Sequence, residues 1–178
     1  MAMVVITGVE TPLGRRVARL AAAEPGSDVV GLARGPVAGL PDDVVVRRLD
    51  LARDDVKPYV EHADVVVHLA TSTPDTPTAA TDDVRVARRV LDAAGATGVT
   101  HLVVLSSATV YGAWANNPVP LTEDAPLRPN PGFAFAAERA EIERLAAEWR
   151  DAHPGATATI LRPARAAGPD HRDWLVRA

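Results

Sequence analysis

The stretch TGVETPLG, at residues 7–14, decides the fold of this 178-residue chain. It follows a short apolar run at residues 4–6, which predicts a first strand, and it opens a helical pattern over residues 13–23. The apolar side chains of that pattern share one expected buried face: Leu13, Val17, Leu20 and Ala21. A glycine-containing turn between a first strand and a first helix is typical of a nucleotide-binding βαβ unit.

The glycine positions within this turn predict the ligand. Gly8 allows a tight turn, and it lets a pyrophosphate approach the backbone and the free amides at the start of the helix. Gly8 and Gly14 occupy the outer positions of the pattern T-G-x-x-G-x-x-G, whereas Thr11 stands where the middle glycine belongs. We therefore predict a dinucleotide cofactor bound by four residues of the turn: Gly8, Thr11, Leu13 and Gly14.

Along the rest of the chain, short β-branched runs alternate with longer helical patterns, which is typical of βαβ units. Five further strands are predicted, at residues 28–33, 44–49, 63–69, 99–106 and 156–161. Two further helices are predicted at residues 82–94 and 133–152, and the five prolines of residues 112–132 predict a loop. Residues 1–178 are expected to form one α/β domain, a doubly wound, Rossmann-type parallel sheet of about six strands with helices on both faces. Its ligand should lie at the carboxyl ends of the strands.

Composition narrows the classes of function. The net charge of −4 gives no reason to expect nucleic acid or an anionic membrane as a partner. No apolar stretch approaches the roughly 18 residues that a membrane span needs, and the first residues do not resemble a secretory signal. The absence of cysteine excludes disulfides and thiolate chemistry, so a cytoplasmic location is expected. No cluster of residues resembles a metal site.

The end of the second strand predicts which dinucleotide is bound. A carboxylate there binds the ribose 2′-hydroxyl of NAD, whereas an arginine accommodates the 2′-phosphate of NADP. The strand ends in Arg34 without an acidic residue, and Arg15 could add a second cation from the helix start. These residues favour NADP, with NAD as the alternative, although both arginines could be solvated surface residues. Asp50 and Leu51, after the third strand, either bring a carboxylate near the adenine amino group or begin a helix, with Asp50 as its cap.

Five stretches occur in the order found in a known family: TGVETPLG, the pair Asp50-Leu51, HLAT at 68–71, SSATVYG at 106–112 and LRPARAAGP at 161–169. Together they resemble the NAD-dependent epimerase/dehydratase branch of the extended short-chain dehydrogenases/reductases. The resemblance implies that Leu69 and Ala70 line the cofactor. It also implies that Ser107 and Thr109 contact a carbonyl or hydroxyl group of the substrate.

The chain departs from this family at a Tyr-x-x-x-Lys pair that the resemblance implies on the long helix. Residues 131–143 contain neither tyrosine nor lysine. If Glu143 matches the glutamate that often follows the pair, Phe135 stands at the tyrosine position and Arg139 at the lysine position. This alignment is preferred because it retains a cation, which the family uses beside both the cofactor and the substrate.

A second alignment uses Glu141 as the matching glutamate, and it places Phe133 and Ala137 at the two positions. In either alignment the proton-donating phenol is missing. Tyr111 is the one nearby phenol of the motifs, and it is expected to pack rather than to donate. His68 is expected to be a buried core histidine more often than a catalytic base.

This chemistry favours an NADP-dependent ketone reductase of unusual mechanism. The cofactor supplies the hydride, Ser107 and Thr109 bind the substrate oxygen, and Arg139 adds positive charge. Arginine cannot replace lysine fully, because it does not deprotonate. Because the tyrosine phenol is missing, the proton would come from an acidic phenol or enol of the substrate itself, as in the reduction of polyphenolic ketones by atypical members of the family. Two alternatives are a non-catalytic NADP-binding sensor or scaffold, and a sugar-nucleotide epimerase or dehydratase.

Length raises a further question. The resemblance implies a second half, beyond residues 161–169, that builds much of the substrate pocket, whereas nine residues follow Pro169 here. Either that half lies outside this chain, or the protein is a reduced binding module. The oligomeric state is left open between a monomer and a homodimer.

Overall fold

A computed structural model of the chain describes residues 1–72 and 80–164, and the structural statements below refer to these residues. The six strands are β1 (Ala2–Thr7), β2 (Ser27–Ala33), β3 (Val44–Arg48), β4 (Val65–His68), β5 (His101–Leu105) and β6 (Thr157–Leu161). The helices are α1 (Pro12–Ala23), α2 (Lys57–Val60), α3 (Asp83–Thr97), α4 (Ala134–Ala152) and a 3-10 turn at Ala108–Tyr111. Of the stretches that carry the family resemblance, residues 165–169 lie outside the described part of the chain.

The strands form one sheet in the order β3-β2-β1-β4-β5-β6, and every neighbouring pair is parallel. This order is typical of doubly wound sheets. Strands β2 and β3 extend the sheet on one side of β1, and strands β4, β5 and β6 extend it on the other side. The predicted fold class is therefore confirmed, with helices on both faces. Residues 112–132 contain no helix or strand, as their prolines predicted.

Alternate side chains of the central strands enter two separate cores. Val5 and Val66 pack with α2, α3 and α4 on one face of the sheet, whereas Ile6 and Val67 pack with α1 on the other. A strand directs successive side chains to opposite faces, so the uninterrupted apolar runs of β1 and β4 serve both cores. The carboxyl ends of these two buried strands are held rigidly beside each other.

Helix α1 turns only part of its predicted face inward: Val17 and Ala21 pack against the core, whereas the two leucines are exposed. Gly14 and Ala18 are its buried residues, whereas Leu20 is 62% exposed and Leu13 37% exposed. A Cβ at Gly14 would lie 2.1 Å from the carbonyl oxygen of Gly8, so only glycine allows the helix to sit this close to the preceding turn. Close backbone packing, rather than the largest apolar area, sets the rotation of this helix.

Helix α3 continues through Gly95 to Thr97, beyond the predicted end at residue 94. Gly98, with φ of +78°, ends it in the left-handed conformation that glycine favours. A Cβ at Gly95 would lie 2.6 Å from Nε2 of His153 on α4. Gly95 is therefore a residue inside the helix whose lack of a side chain allows close packing against α4. The single-turn helix α2 and the 3-10 turn are too short to give a periodic signal, which is why the sequence did not predict them.

We expect Gly31→Ala to destabilise the fold because β2 and the turn after β1 are in close contact at this point. A Cβ at Gly31 would lie 2.8 Å from one γ-methyl group of Val9 and 3.0 Å from the other. Overpacking of this kind costs about 1–3 kcal/mol. Denaturant unfolding should show this loss for Gly31→Ala and little change for Gly35→Ala, because a Cβ at Gly35 would meet no atom within 4 Å.

A Val9→Ala/Gly31→Ala double variant provides the internal check. Because Val9→Ala removes the methyl groups that obstruct the new side chain, the double variant should lose less stability than the sum of the two single changes. Simple additivity of the two effects would contradict the assigned contact.

Candidate functional site

The turn between β1 and α1 lies directly against the end of β4. Gly8 has a φ of +77°, and a Cβ there would lie 2.7 Å from the backbone nitrogen of Ala70. Its amide donates to the carbonyl oxygen of Leu32 at 2.9 Å, which links the turn to β2 as well. The structure thus brings the predicted residues Gly8, Gly14 and Ala70 together at the carboxyl edge of the sheet.

Thr11 replaces the middle glycine of the pattern by closing the turn with its side chain. Its hydroxyl donates to the carbonyl oxygen of Gly8 at 2.8 Å and accepts from the amide of Gly14 at 3.0 Å. Thr11 is therefore the N-cap of α1. Pro12 has no amide hydrogen, so the amide of Leu13 is the one in this first turn without a partner among the described residues.

A cavity of about 390 Å³ opens beside this turn, at the carboxyl ends of β1, β2 and β4. Its volume falls within the range of about 300–1,000 Å³ that is usual for small-molecule sites. Thr11, Arg34, Leu51 and Ala70, all predicted to contact a cofactor, are among the residues that line it. The others are Glu10, Leu32, Ala33, Leu49, Thr71, Ser72, Asp83 and Val86.

Glu10 is a lining residue that the sequence did not single out. One carboxylate oxygen accepts from the backbone amide of Arg34 at 3.3 Å, so the side chain reaches the end of β2. The other oxygen, Oε2, is buried and has no hydrogen-bond partner among the described residues. Arg15 does not line the cavity, and its guanidinium donates instead to the backbone carbonyl oxygen of Glu10 at 2.7 Å. An acidic group therefore stands where only arginine was expected.

Two predicted cofactor residues have structural roles in the protein. Asp50 accepts from the amide of Ala52 at 3.0 Å within a turn that does not start a helix, and it does not line the cavity. The side chain of Leu69 is 2% exposed and belongs to the core on the α1 face of the sheet. Only the neighbours that follow them, Leu51 and Ala70, face the cavity.

His68 lies at the end of β4 and is 2% exposed. The hydroxyl oxygen of Thr7 accepts from the amides of Leu69 and Ala70 at 3.2 and 3.1 Å, and it lies 2.9 Å from Nδ1 of His68. Because the two amides occupy both lone pairs of this oxygen, the hydroxyl hydrogen is left to be donated to Nδ1. Burial, with the charge of Arg139, lowers the pKa of His68 to about 4. His68 is thus a neutral structural histidine, as its position in a buried strand predicted.

Ser107 and Thr109 lie together where β5 ends. Ser107 is the N-cap of the 3-10 turn, and its Oγ accepts from the hydroxyl of Thr109 at 3.0 Å and from the amide of Thr109 at 3.3 Å. The hydroxyl of Tyr111 accepts from Arg162 at 2.6 Å, and the guanidinium of Arg162 lies 5.2 Å from the centre of the Tyr111 ring. Tyr111 therefore packs against an arginine, whereas the hydroxyl groups of Ser107 and Thr109 bond to each other.

Arg139 is 2% exposed and forms a buried ion pair with Asp83, the first residue of α3. Asp83 also accepts from the hydroxyl of Thr71 at 2.8 Å and from the amide of Ser72 at 2.9 Å. The guanidinium of Arg139 lies 5.2 Å from the centre of the Phe135 ring. The cation predicted to serve cofactor and substrate does not line the cavity, because Asp83 engages it and ties α4 to the segment after β4.

The two glutamates that gave alternative alignments have different surroundings. Glu143 is 3% exposed and accepts from Arg162 at 2.7 Å and from the hydroxyl of Ser106. Glu141 has 38% of its side chain exposed and pairs with Arg144 one helical turn further along α4. Glu143 joins α4 to the ends of β5 and β6, whereas Glu141 belongs to the solvated face of the helix.

Two kinds of site are absent from the described ranges 1–72 and 80–164. No group of three or more histidine, aspartate or glutamate side chains there could hold a metal ion. Within the same ranges, no helix has the length and apolar character needed to cross a membrane.

Comparison with known proteins gives one family. The model of the NAD dependent epimerase/dehydratase family matches residues 4–175, which is nearly the whole chain. A search of curated protein sequences gives no significant match.

Solved structures with the same fold are longer than this chain. MoeE5 in complex with UDP-glucose and NAD is 23% identical, with a TM-score of 0.83 over 99% of this chain and 59% of its own. TunA, an NAD-dependent NDP-hexosamine 5,6-dehydratase of tunicamycin biosynthesis, is 26% identical, with a TM-score of 0.81 over 99% and 60%. UDP-glucuronic acid 4-epimerase from Bacillus cereus, in complex with NAD, is 18% identical, with a TM-score of 0.76 over 96% and 58%. The chain thus spans about three fifths of the length of these proteins.

The buried neutral state of His68 predicts a loss of stability in acid. The pKa of His68 falls from its ordinary 6.5 to about 4 in the folded chain, so unfolding takes up a proton between these pH values. Its contribution to the free energy of unfolding is complete above pH 6.5, and about 3 kcal/mol is lost as the pH falls to 4. Denaturant unfolding across this pH range should be less pH-dependent for His68→Asn, which keeps an acceptor for Thr7.

The same substitution at His62, which has 83% of its side chain exposed, is the matched control. His62→Asn should retain the pH dependence of the wild type. An equal pH dependence in the wild type and in His68→Asn would contradict a neutral, buried His68.

Proposed function

This chain belongs to the NAD-dependent epimerase/dehydratase family, and we propose that it is the cofactor-binding part of an NAD(P)-dependent oxidoreductase that acts on a sugar nucleotide. The observation that carries the proposal is the cavity beside the turn of Gly8, at the edge of the sheet where doubly wound proteins bind their ligands. A ketone reductase, which the motifs alone favoured, has no counterpart among the similar structures named above. Their names give sugar nucleotides instead, which supports the alternative substrate class.

The residues of the turn and the cavity fit a dinucleotide. Gly8 and Gly14 keep side chains away from the turn, and the amide of Leu13, which has no partner among the described residues, would donate to the pyrophosphate. Leu51 and Ala70 give the cavity an apolar side suited to the adenosine half. When bound, the nicotinamide would accept or donate the hydride.

At the reacting end, Ser107 and Thr109 would orient the substrate hydroxyl or carbonyl group. Their hydroxyl groups lie 3.0 Å apart at the end of β5, so one substrate oxygen could bond to both. The buried environment of Glu143 supports the alignment that puts Phe135 and Arg139 at the positions of the family's Tyr and Lys. Phe135 cannot exchange a proton, so the substrate or a group outside this position would do so.

A second candidate is a non-catalytic NAD(P)-binding sensor or scaffold. It is favoured by one observation, namely that neither position of the family's Tyr-x-x-x-Lys pair holds a group that is free to transfer a proton. Phe135 carries no ionisable group, and Arg139 is bound to Asp83. In this case the protein would bind the dinucleotide with the same turn and would turn nothing over.

Single-turnover reactions of the chain with NAD⁺ separate these functions. The substrates would be UDP-glucose, UDP-glucuronic acid and UDP-N-acetylglucosamine, with simple alcohols for comparison, and the readout would be nicotinamide fluorescence. The proposal predicts NADH formation with at least one sugar nucleotide and none with simple alcohols. Bound NAD⁺ without reduction by any of them would favour the sensor when the protein assayed also contains a substrate-binding half.

Phe135→Tyr should raise the rate of hydride transfer by about 10²-fold or more, which is the usual effect of a positioned general acid or base. The guanidinium of Arg139, 5.2 Å from this ring, would stabilise the phenolate. Phe133→Tyr is the matched control, because it tests the other alignment on the same stretch of chain. A larger gain from Phe133→Tyr would overturn the preferred alignment, and no gain from either variant would contradict a proton-transfer role for this stretch.

A further inference from the structure

We infer that Glu10 selects NAD over NADP, because its carboxylate accepts the hydroxyl groups of the adenosine ribose and repels a 2′-phosphate. This inference rests on the proposed binding of a dinucleotide at the turn of Gly8. Discrimination between the two cofactors is thus assigned to Glu10, two positions before the first residue of α1, rather than to the last residues of β2.

The carboxylate of Glu10 lies at the end of β2. In doubly wound dinucleotide-binding proteins, the residue that discriminates at the ribose follows the second strand. In this chain the residue there is Arg34, but its backbone amide points at Oε1 of Glu10, 3.3 Å away. Glu10 therefore brings a carboxylate from the turn to the place where the strand itself supplies none. Both residues line the same cavity.

One oxygen of this carboxylate is a hydrogen-bond acceptor that has no donor among the described residues. Oε2 of Glu10 is buried without a hydrogen-bond partner among the described residues, and the bond from Arg34 to Oε1 is long. A buried carboxylate oxygen without a donor is unfavourable, so a turn of the Glu10 side chain toward hydroxyl donors in the cavity would stabilise it. The ribose of NAD offers two adjacent hydroxyl groups, whereas that of NADP has one of them esterified with phosphate.

Two arginines, Arg15 and Arg34, contact Glu10 in this site. The guanidinium of Arg15 donates to the backbone carbonyl oxygen of Glu10, and no ion pair joins Glu10 to an arginine within the described ranges. The pKa of Asp82, at the start of α3, is lowered mainly by Arg85 and further by Arg34. A 2′-phosphate on the adenosine ribose would lie close to the carboxylate of Glu10, and like charges at this distance repel.

Calorimetric titrations with NAD⁺ and NADP⁺ test the inference without requiring turnover. The wild-type chain should bind NAD⁺ at least tenfold more tightly than NADP⁺. Glu10→Gln keeps an oxygen that accepts from Arg34 but removes the charge, so it should bring the two affinities within about threefold of each other. Glu24→Gln, an exposed residue after the end of α1, is the matched control and should keep the wild-type preference.

Circular dichroism should show that both variants keep the fold. A wild-type preference for NADP⁺, or an unchanged preference in Glu10→Gln, would overturn the inference and leave the proposed binding site intact. If neither dinucleotide bound to the wild-type chain, the proposed function itself would fail, and the assignment of Glu10 would fail with it.

Discussion

The close approach of Gly8 to Ala70 is the constraint on which the rest of the site depends. A Cβ at Gly8 would lie 2.7 Å from the nitrogen of Ala70, so β1 and β4 can end side by side only if this residue is glycine. The hydroxyl of Thr7 reinforces the contact by accepting from the amides of Leu69 and Ala70. Because the turn is held down here, α1 begins against it and the cavity opens between the turn and the ends of the neighbouring strands.

Sequence patterns predicted the parts of the structure that depend on local chemistry. The six strands, the main helices and the parallel sheet follow from apolar periodicity, and Gly8 and Gly14 follow from the steric demands of the turn. The rotation of α1 did not follow, because Gly14 packs by its lack of a side chain, and such packing leaves no apolar signal. Leu51 and Ala70, both predicted to contact a cofactor, line the cavity, whereas Leu69 lies in the core.

The rest of the site depends on partners that are distant in the sequence. Nothing near Arg139 indicates that Asp83, 56 positions earlier, would engage its guanidinium in a buried ion pair. Likewise, Glu10 lies 24 positions before the amide that its carboxylate reaches. Spacing within a motif cannot reveal such pairs, because they form only when strands and helices come together. These two pairs changed the expected chemistry most, by occupying a predicted catalytic cation and by bringing an acid into a site expected to be basic.

The central claim is that a dinucleotide binds across the turn of Gly8 with its adenosine half in the adjacent cavity. A crystal structure of the chain grown with NAD⁺ tests it most directly. The account predicts the pyrophosphate at the amide of Leu13, the adenosine between Leu51 and Ala70, and the nicotinamide toward Ser107. A dinucleotide bound elsewhere, such as in the groove between α3 and α4 lined by Trp149, would contradict it.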